Sequence, residues 1–597
     1  MFSIKFKYAG LLLAVAITGI MANGCKKLNQ EPQAQATNSA VFSSVNGLQL
    51  YTNSFYEMLP DAGSLVRGDA MADYAARTTV PDFLRPGAYS AQQGTGWTWT
   101  QLRNINFFLA NNVRAAVSAD QRKHFNGLAR FFRAWFYFDK LKRFGDVPWI
   151  NTPMDVADPR LYAGRDSRTL VVDSILADLD YAGQNILTTT DASRTQITKN
   201  IVYAFKSRVC LFEGTFRKYH NEYPLGASAP ALLQKAADAA KQVIDGGAFS
   251  LNTAGGTDKA YRQLFTSTVP VANETMLAAV VDPTLGIFND ANWYWTSATY
   301  GDRLSLIRTF VNTYLNIDGT PFTSTAGYKT MPFVDEVKGR DMRLQQTIRM
   351  GNYTRLNGAT QEAAPPVFSY TYTGYQPIKF TQDDASMDGG SRNTNSIPSI
   401  RYAEVLLNYA EAKAELGTLT DADWNLTIGA LRRRAGITGN TATKPTTIDP
   451  YLQSTYFPEI SDPSLLEIRR ERGIELVFEG FRFNDIVRWK KGSLMDMAWN
   501  GFYVPALNTP LDLNGDGKLD VAFYQTMPAN PVAGVTYVSV AETLTTGSVN
   551  PQRLNSDNEL TWLTNVTRKW DDKYYLYPIP EADRLINPKL GQNPGWQ

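Results

Sequence analysis

A mainly α chain is predicted, built of helix pairs and broken by long irregular stretches, and two contrasts along the sequence carry that expectation. Apolar residues recur at helical spacing over 41–248 and again over 401–492. Between about 249 and 400 the pattern gives way to Gly, Asn, Thr, Pro and aromatic residues with no sustained helical period, and irregular chain returns over 493–597. In the first region Leu128, Phe131, Phe132, Trp135 and Phe138 repeat on a helix face, and Gly145 and Pro148 stop the run. Thr169 and Thr198 are expected to cap the next two helices, because a hydroxyl there accepts from an otherwise orphaned amide. Asp173, Asp178 and Asp180 read as a solvated face. In the second region Ala403, Leu407, Ala410 and Ala414 form a small-residue stripe that lets a partner helix approach closely. Amphipathic helices in short pairs with Ala-rich faces predict stacking of the tetratricopeptide kind, and 41–597 is expected to form one unit.

The N-terminus has a separate logic. Lys5 and Lys7 precede an apolar run, 11–20, too short to span a bilayer, and Ala22-Asn23-Gly24 leads into Cys25. This resembles a bacterial lipoprotein signal: residues 1–24 are removed, Cys25 becomes the first residue, and its thiol carries a lipid anchor. Ala22 stands where such signals usually have Leu, and an ordinary secretory signal with an incidental cysteine is the competing reading. The polar stretch 25–40 has almost nothing to bury and is expected to be a tether reaching ~50 Å at full stretch.

Composition excludes several function classes. Lys+Arg 59 against Asp+Glu 57 leaves a net charge of +2, with no electrostatic footprint for nucleic acid. Two cysteines, one of them Cys25, leave no disulfide framework, and Cys210 reads as a small buried hydrophobe. His124 and His220 are the only histidines and lack surrounding metal ligands in sequence. Glu471, Glu475 and Glu479 fall on one helix stripe. Glycosidase carboxylates must face each other across a sugar, so a side-by-side stripe reads as structural ion pairing with nearby Arg472, Arg482 and Arg488.

One loop carries metal-ligand spacing. Asp512, Asn514, Asp516, Lys518 and Asp520 place oxygen donors at alternate positions, as the first half of a calcium loop does, but Phe523 stands where the closing Glu belongs. A calcium site completed by distant groups and a plain Asp/Asn/Gly turn both fit. No cofactor is otherwise expected.

The tail, Tyr577-Pro578-Ile579-Pro580-Glu581 followed by Asn587-Pro588, Leu590 and Gln592-Asn593-Pro594-Gly595-Trp596, is similar to the ending of the SusD/RagB family of Bacteroidota outer-membrane lipoproteins. Segments 129–148, 401–417 and 471–489 and the start at Cys25 resemble other blocks of that family; about 255–390 does not match. The resemblance implies a SusD-like fold whose helix pairs dock on a SusC-like TonB-dependent transporter while irregular loops face the ligand. It also implies a non-enzymatic role at the cell surface: a lipid-anchored outer-membrane protein that captures an oligosaccharide and delivers it to the transporter. A peptide-binding member and a surface glycoside hydrolase are the alternatives.

Sugar capture needs aromatic platforms beside hydrogen-bonding side chains. The best local concentration is Asn292-Trp293-Tyr294-Trp295 with Tyr300, since three bulky aromatics in a row outside any period are awkward to bury together. A second is Trp97 and Trp99, with Arg67 and Asp69 upstream; for Trp99 a core position is equally open. The tail's prolines predict an extended path that packs Tyr577 and Trp596 on the body.

Overall fold

Helix α1 (Val45–Asn53) starts where the Ser44 hydroxyl accepts from the Gly47 amide. The structure is a computed structural model, and it describes residues 41–114, 116–299 and 301–596. Cys25, the signal run and the tether lie outside the described residues, as does Tyr300. Helix α2 (Thr100–Asn111) leads into α3 (Ala119–Phe144), which is capped by Ser118 and stopped by Gly145 at φ 73°, a backbone conformation that favours glycine.

Helix α4 (Arg168–Asn185) is capped by Ser167, whose hydroxyl accepts from Leu170. Thr169 therefore lies inside the first turn, two residues past the extended position a cap occupies. Thr198 does cap α5 (Lys199–Tyr219), accepting from Ile201. Asp178 is not solvated: it is buried and forks with Arg133, Nε to Oδ2 and Nη2 to Oδ1 both at 2.7 Å. Helix α6 (Ala229–Asp245) packs along α5, and α4 packs between α3 and α5. Cys210 is fully buried on α5.

The irregular middle contains the short helix α7 (Ala291–Thr296) and antiparallel strands β1 (Thr275–Ala279) and β2 (Ile397–Arg401), paired from Thr275 with Arg401 to Ala279 with Ile397. Strand β2 runs directly into α8 (Tyr402–Glu415), which is buried at every residue but Lys413. The stripe Ala403, Leu407, Ala410 and Ala414 lies within that burial, and α8 packs on α5, α6 and α10. Helices α9 (Ile428–Arg434), α10 (Pro463–Glu475) and α11 (Arg482–Arg488) complete this part. A three-stranded antiparallel sheet of β3 (Asn500–Tyr503), β4 (Gln552–Leu554) and β5 (Glu559–Trp562), with β5 central, follows.

Helix α10 is the electrostatic centre of the core, because every residue from Ser464 to Glu475 is buried, charges included. Glu471 meets Arg343 at 2.9 Å and Arg432 at 2.8 Å. Glu475 meets Arg401 at 2.6 Å, Arg343 at 3.0 Å and also Arg434, while Glu479 meets Arg401 at 2.7 Å and Lys379 at 2.6 Å. Ion pairing is thus the role of these three carboxylates, but the helix ends at Glu475, so Glu479 lies in the turn beyond it and not on the helix stripe, and the partners come from distant segments. The nearby arginines are committed elsewhere: Arg472 and Arg488 to Asp485, Arg488 also to Glu411, and Arg482 to Asp73. Burial alone would raise the Glu475 pKa, yet Arg434, Arg401 and Arg343 hold it well below the usual carboxylate range.

The tail closes the body. Trp596 is buried and its Nε1 donates to the carbonyls of Lys573 (3.0 Å) and Leu576 (2.8 Å), while Tyr577 stacks on Phe83 with ring centres 4.6 Å apart. Asn593 Nδ2 donates to Phe144 O at 3.0 Å, which ties the tail to the end of α3.

Candidate ligand-binding site

Helix α7 sorts its four candidate residues onto opposite sides. Successive helical residues turn by about a quarter-circle, so neighbours in sequence need not share a face. Asn292 is fully buried and spends its whole amide on protein: Nδ2 donates to Gln382 O (2.9 Å) and Asp388 Oδ1 (3.0 Å), and Oδ1 accepts from Gln382 N (2.7 Å) and Asn393 Nδ2 (2.7 Å). It holds α7 to the 382–393 segment. Trp295 is 3% exposed, against Phe478 and Phe380 at 4.9 and 6.3 Å between ring centres. These two positions correct the expectation of ligand contact, because Trp295 belongs to the core and Asn292 is a brace. Tyr294 is also buried. Its hydroxyl donates to Asp302 at 3.3 Å, and burial first, then the Asp302 charge, raises its pKa. Trp293 alone of the four is half-buried, beside Gly390.

From Tyr294, the neighbour of Trp293 in α7, contacts run to distant segments that carry a ledge of partly exposed rings and charges. Arg67 pairs with Asp290 at 2.5 Å, and its guanidinium lies 4.7 Å from the Tyr294 ring centre. Asp302 takes a second bond from Arg77 at 2.7 Å. The Arg77 carbonyl accepts from Trp562 Nε1 at 2.8 Å, and Trp562 stacks on Tyr372 at 3.6 Å and 14°. Arg303 sits 5.4 Å over the other partner of that stack, Tyr372. Trp293, Arg67, Arg77, Asp302, Arg303 and Trp562 are all partly exposed. Trp562 and the groups around it are thus joined, through Asp302 and Tyr294, to the helix that carries Trp293, and together they offer planar apolar faces beside guanidinium and carboxylate groups.

Asp69, read as a neighbour of the second aromatic cluster, is instead a buried brace. It accepts from Tyr74 Oη at 2.6 Å, Gly480 N at 2.9 Å and Arg482 N at 3.2 Å, and burial pushes its pKa up to about 6. Trp97 is core, edge-on to Phe144 at 5.0 Å and Trp99 at 5.3 Å. Trp99 is half-buried and lines a separate cleft of about 300 Å³ with Arg103, Asn106, Ile150 and Val156. That cleft shares no residue with the ledge, so Arg67 and Trp99 are not one site.

In the 512–520 loop the acidic oxygens serve the loop's own amides. Asp512 accepts from Gly515 (2.7 Å) and Gly517 (2.8 Å), Asn514 from Asp516 (3.2 Å), Asp516 from Lys518 (2.8 Å) and Asp520 from Leu513 (2.8 Å). Among the described residues no group of three or more His, Cys, Asp or Glu side chains is placed to hold a metal ion. The loop closes as an Asx-type turn.

Trp562 and its neighbours escaped the sequence reading because Trp562 and Arg77 are 485 residues apart. Only the alternation within β5 hinted at a residue with one free face.

Residues 282–596, more than half of the 597, match the SusD family. The chain belongs to that family. Residues 85–211 match a second description, "Starch-binding associating with outer membrane". The SusD-like protein P2 of Formosa agariphila is 25% identical over 511 residues, covering 82% of this chain and 91% of that one. A SusD-like protein from Bacteroides fragilis superposes with a TM-score of 0.67 at 20% identity, covering 95% of this chain and all (100%) of that one. A SusD-like carbohydrate-binding protein from the same species gives 0.66 at 19% identity, covering 92% and 99%. The SusD fold, mainly α with few short strands, is therefore the fold of this chain.

Proposed function

We propose that this SusD family chain is a non-catalytic glycan-binding protein, held at the outer membrane through Cys25, that captures an oligosaccharide on the Trp293–Trp562 ledge and delivers it to a SusC-like TonB-dependent transporter. The observation that carries the reading is the ledge itself, where the partly exposed Trp293 of mid-chain and Trp562 near the C-terminus are linked through Tyr294, Asp302 and Arg77, with Arg67 and Arg303 beside them. The names of the relatives, which include a carbohydrate-binding protein and a surface glycan-binding protein A from Bacteroides fluxus, support it.

Binding rather than turnover fits the placement of the acid–base groups. Glu471, Glu475 and Glu479 are consumed by arginines in the core. His220 is buried, its Nε2 bonded to Val487 O at 2.7 Å, and burial lowers its pKa. The net charge of +2 and the mixed signs on the ledge suit a neutral ligand over a polyanion. The test is calorimetry of the mature chain against a glycan panel and a peptide panel, with product analysis of each glycan after incubation. Saturable glycan binding without cleavage is expected. Peptide binding in its place would move the chain to the peptide class, and released product would make it a hydrolase.

A further inference from the structure

A second cleft, of about 540 Å³, opens beside β3 and the β4–β5 turn, away from the ledge. Its floor is a fixed polar network. Arg308 binds Glu559 at 2.8 Å and Glu336 at 3.1 Å, and Asn500 donates to Glu559 at 3.1 Å while accepting from Thr309 Oγ1 at 3.1 Å. Its walls are the rings of Tyr328, Tyr451 and Tyr503, all half-buried. Tyr451 Oη donates to Thr309 O at 2.8 Å, so that ring is locked.

Three polar groups in the lining lack partners. Asn312 is 9% exposed, yet its Oδ1 has no hydrogen-bond partner among the described residues. A buried amide oxygen without a partner is a place where a ligand hydroxyl gains a hydrogen bond that the fold itself leaves unmade. The hydroxyls of Tyr328 and Tyr503 make no bond to other described residues, although both rings face the same cleft.

We propose that this cleft is a second carbohydrate site, taking a neutral sugar residue between the tyrosine rings with its hydroxyls on Asn312, Tyr328 and Tyr503. Rings supply the apolar platform for the C–H face of a pyranose, and the free phenols and amide supply both donors and acceptors. Charge selects a neutral ligand, because Arg308 is already matched by Glu336 and Glu559, and the exposed rim residues Lys329 and Asp557 are of opposite sign. The site is independent of the ledge. Glu559 and Trp562 sit ~10 Å apart along β5, and Trp562 is not among the residues that line the cleft. One glycan chain lying on the ledge therefore does not simply continue into the cleft.

The inference rests on the reading of this chain as a glycan binder. It is tested by calorimetry with neutral oligosaccharides that bind the mature protein, comparing wild type, Trp293→Ala, the Tyr328→Ala/Tyr503→Ala pair and Thr330→Trp, which plugs the cleft from an exposed rim position. Two binding events are expected in wild type. The tyrosine pair and the plug should each weaken one of them roughly tenfold or more, equivalent to ~1.4 kcal/mol, and Trp293→Ala should affect only the other. Should the tyrosine pair fail to fold, the plug alone decides. A single event that is untouched by the cleft variants and lost with Trp293→Ala overturns the second site and leaves the ledge standing. Peptide binding lost with the cleft variants overturns the sugar assignment, and no glycan binding at all removes both.

Discussion

The charged core around Glu471, Glu475 and Glu479 and the ledge are made of the same materials, arginines, carboxylates and aromatic rings, and they do opposite work. In the core Glu471, Glu475 and Glu479 each meet two or more cations and their side chains keep 6% exposure or less, so nothing is left over to recognise a ligand. On the ledge Arg67 and Asp290 keep side-chain exposures of 36% and 22%, and Trp293 and Trp562 retain open surface. The chemistry that makes a fold rigid and the chemistry that makes it a receptor differ here by burial alone.

The contrast breaks first in the core. Glu475→Gln leaves Arg343, Arg401 and Arg434 short of a shared partner, and stripping one member from a buried ion network costs about 3–5 kcal/mol. Chemical denaturation of the purified variant should show that loss; a change under ~1 kcal/mol would mean that water reaches the network.

Acid should act on the same region. Burial alone would raise the Glu411 pKa, but Arg488, Arg472 and Arg469 bring it down to about 2. A carboxyl depressed below its unfolded value near 4.5 contributes stability that is complete above that value and is lost as pH falls toward about 2, a loss on the order of 3 kcal/mol for this group. Unfolding free energy measured from pH 6 downward should fall through that window. In Glu411→Gln the pH slope should shrink, and an unchanged slope would assign the acid sensitivity elsewhere.

Changes on the ledge should leave stability nearly intact. Arg67→Ala removes a partly exposed pair, worth ~0–1 kcal/mol in folding, and is expected to weaken glycan affinity by severalfold with a melting temperature close to wild type. Equal losses in both readouts would make Arg67 a structural brace like Asp69. Calcium is expected to have the smallest effect. With Asp512 and Asp520 already accepting from loop amides, its addition should leave the melting temperature unchanged, and a rise would give the 512–520 loop a cation.

Much of the architecture could be read along the chain, because helix period, caps and small-residue stripes are local signals. Thr198, Gly145 and the α8 alanines behave as their positions predict. What failed was the inference from composition to exposure. Asn292-Trp293-Tyr294-Trp295 looks like one exposed cluster in sequence, yet a single helical turn sends Asn292, Tyr294 and Trp295 inward and leaves Trp293 at the surface. Asp178 looks solvated until the fold brings Arg133 to it, and Asp69 looks like a ligand neighbour until the Gly480 and Arg482 amides arrive to claim it. Trp562 meets Arg77 across 485 residues and the cleft gathers Tyr328, Tyr451 and Tyr503 from three separate segments, partnerships that no local pattern encodes.

The central claim, that recognition lives on the ledge while the charged core only supports it, is tested most directly by measuring glycan affinity and unfolding free energy on the same preparation of Trp293→Ala. The expected result is affinity at the ledge reduced roughly tenfold, ~1.4 kcal/mol, with unfolding free energy within ~1 kcal/mol of wild type, as befits a half-buried residue. Full affinity in a folded Trp293→Ala protein would contradict it.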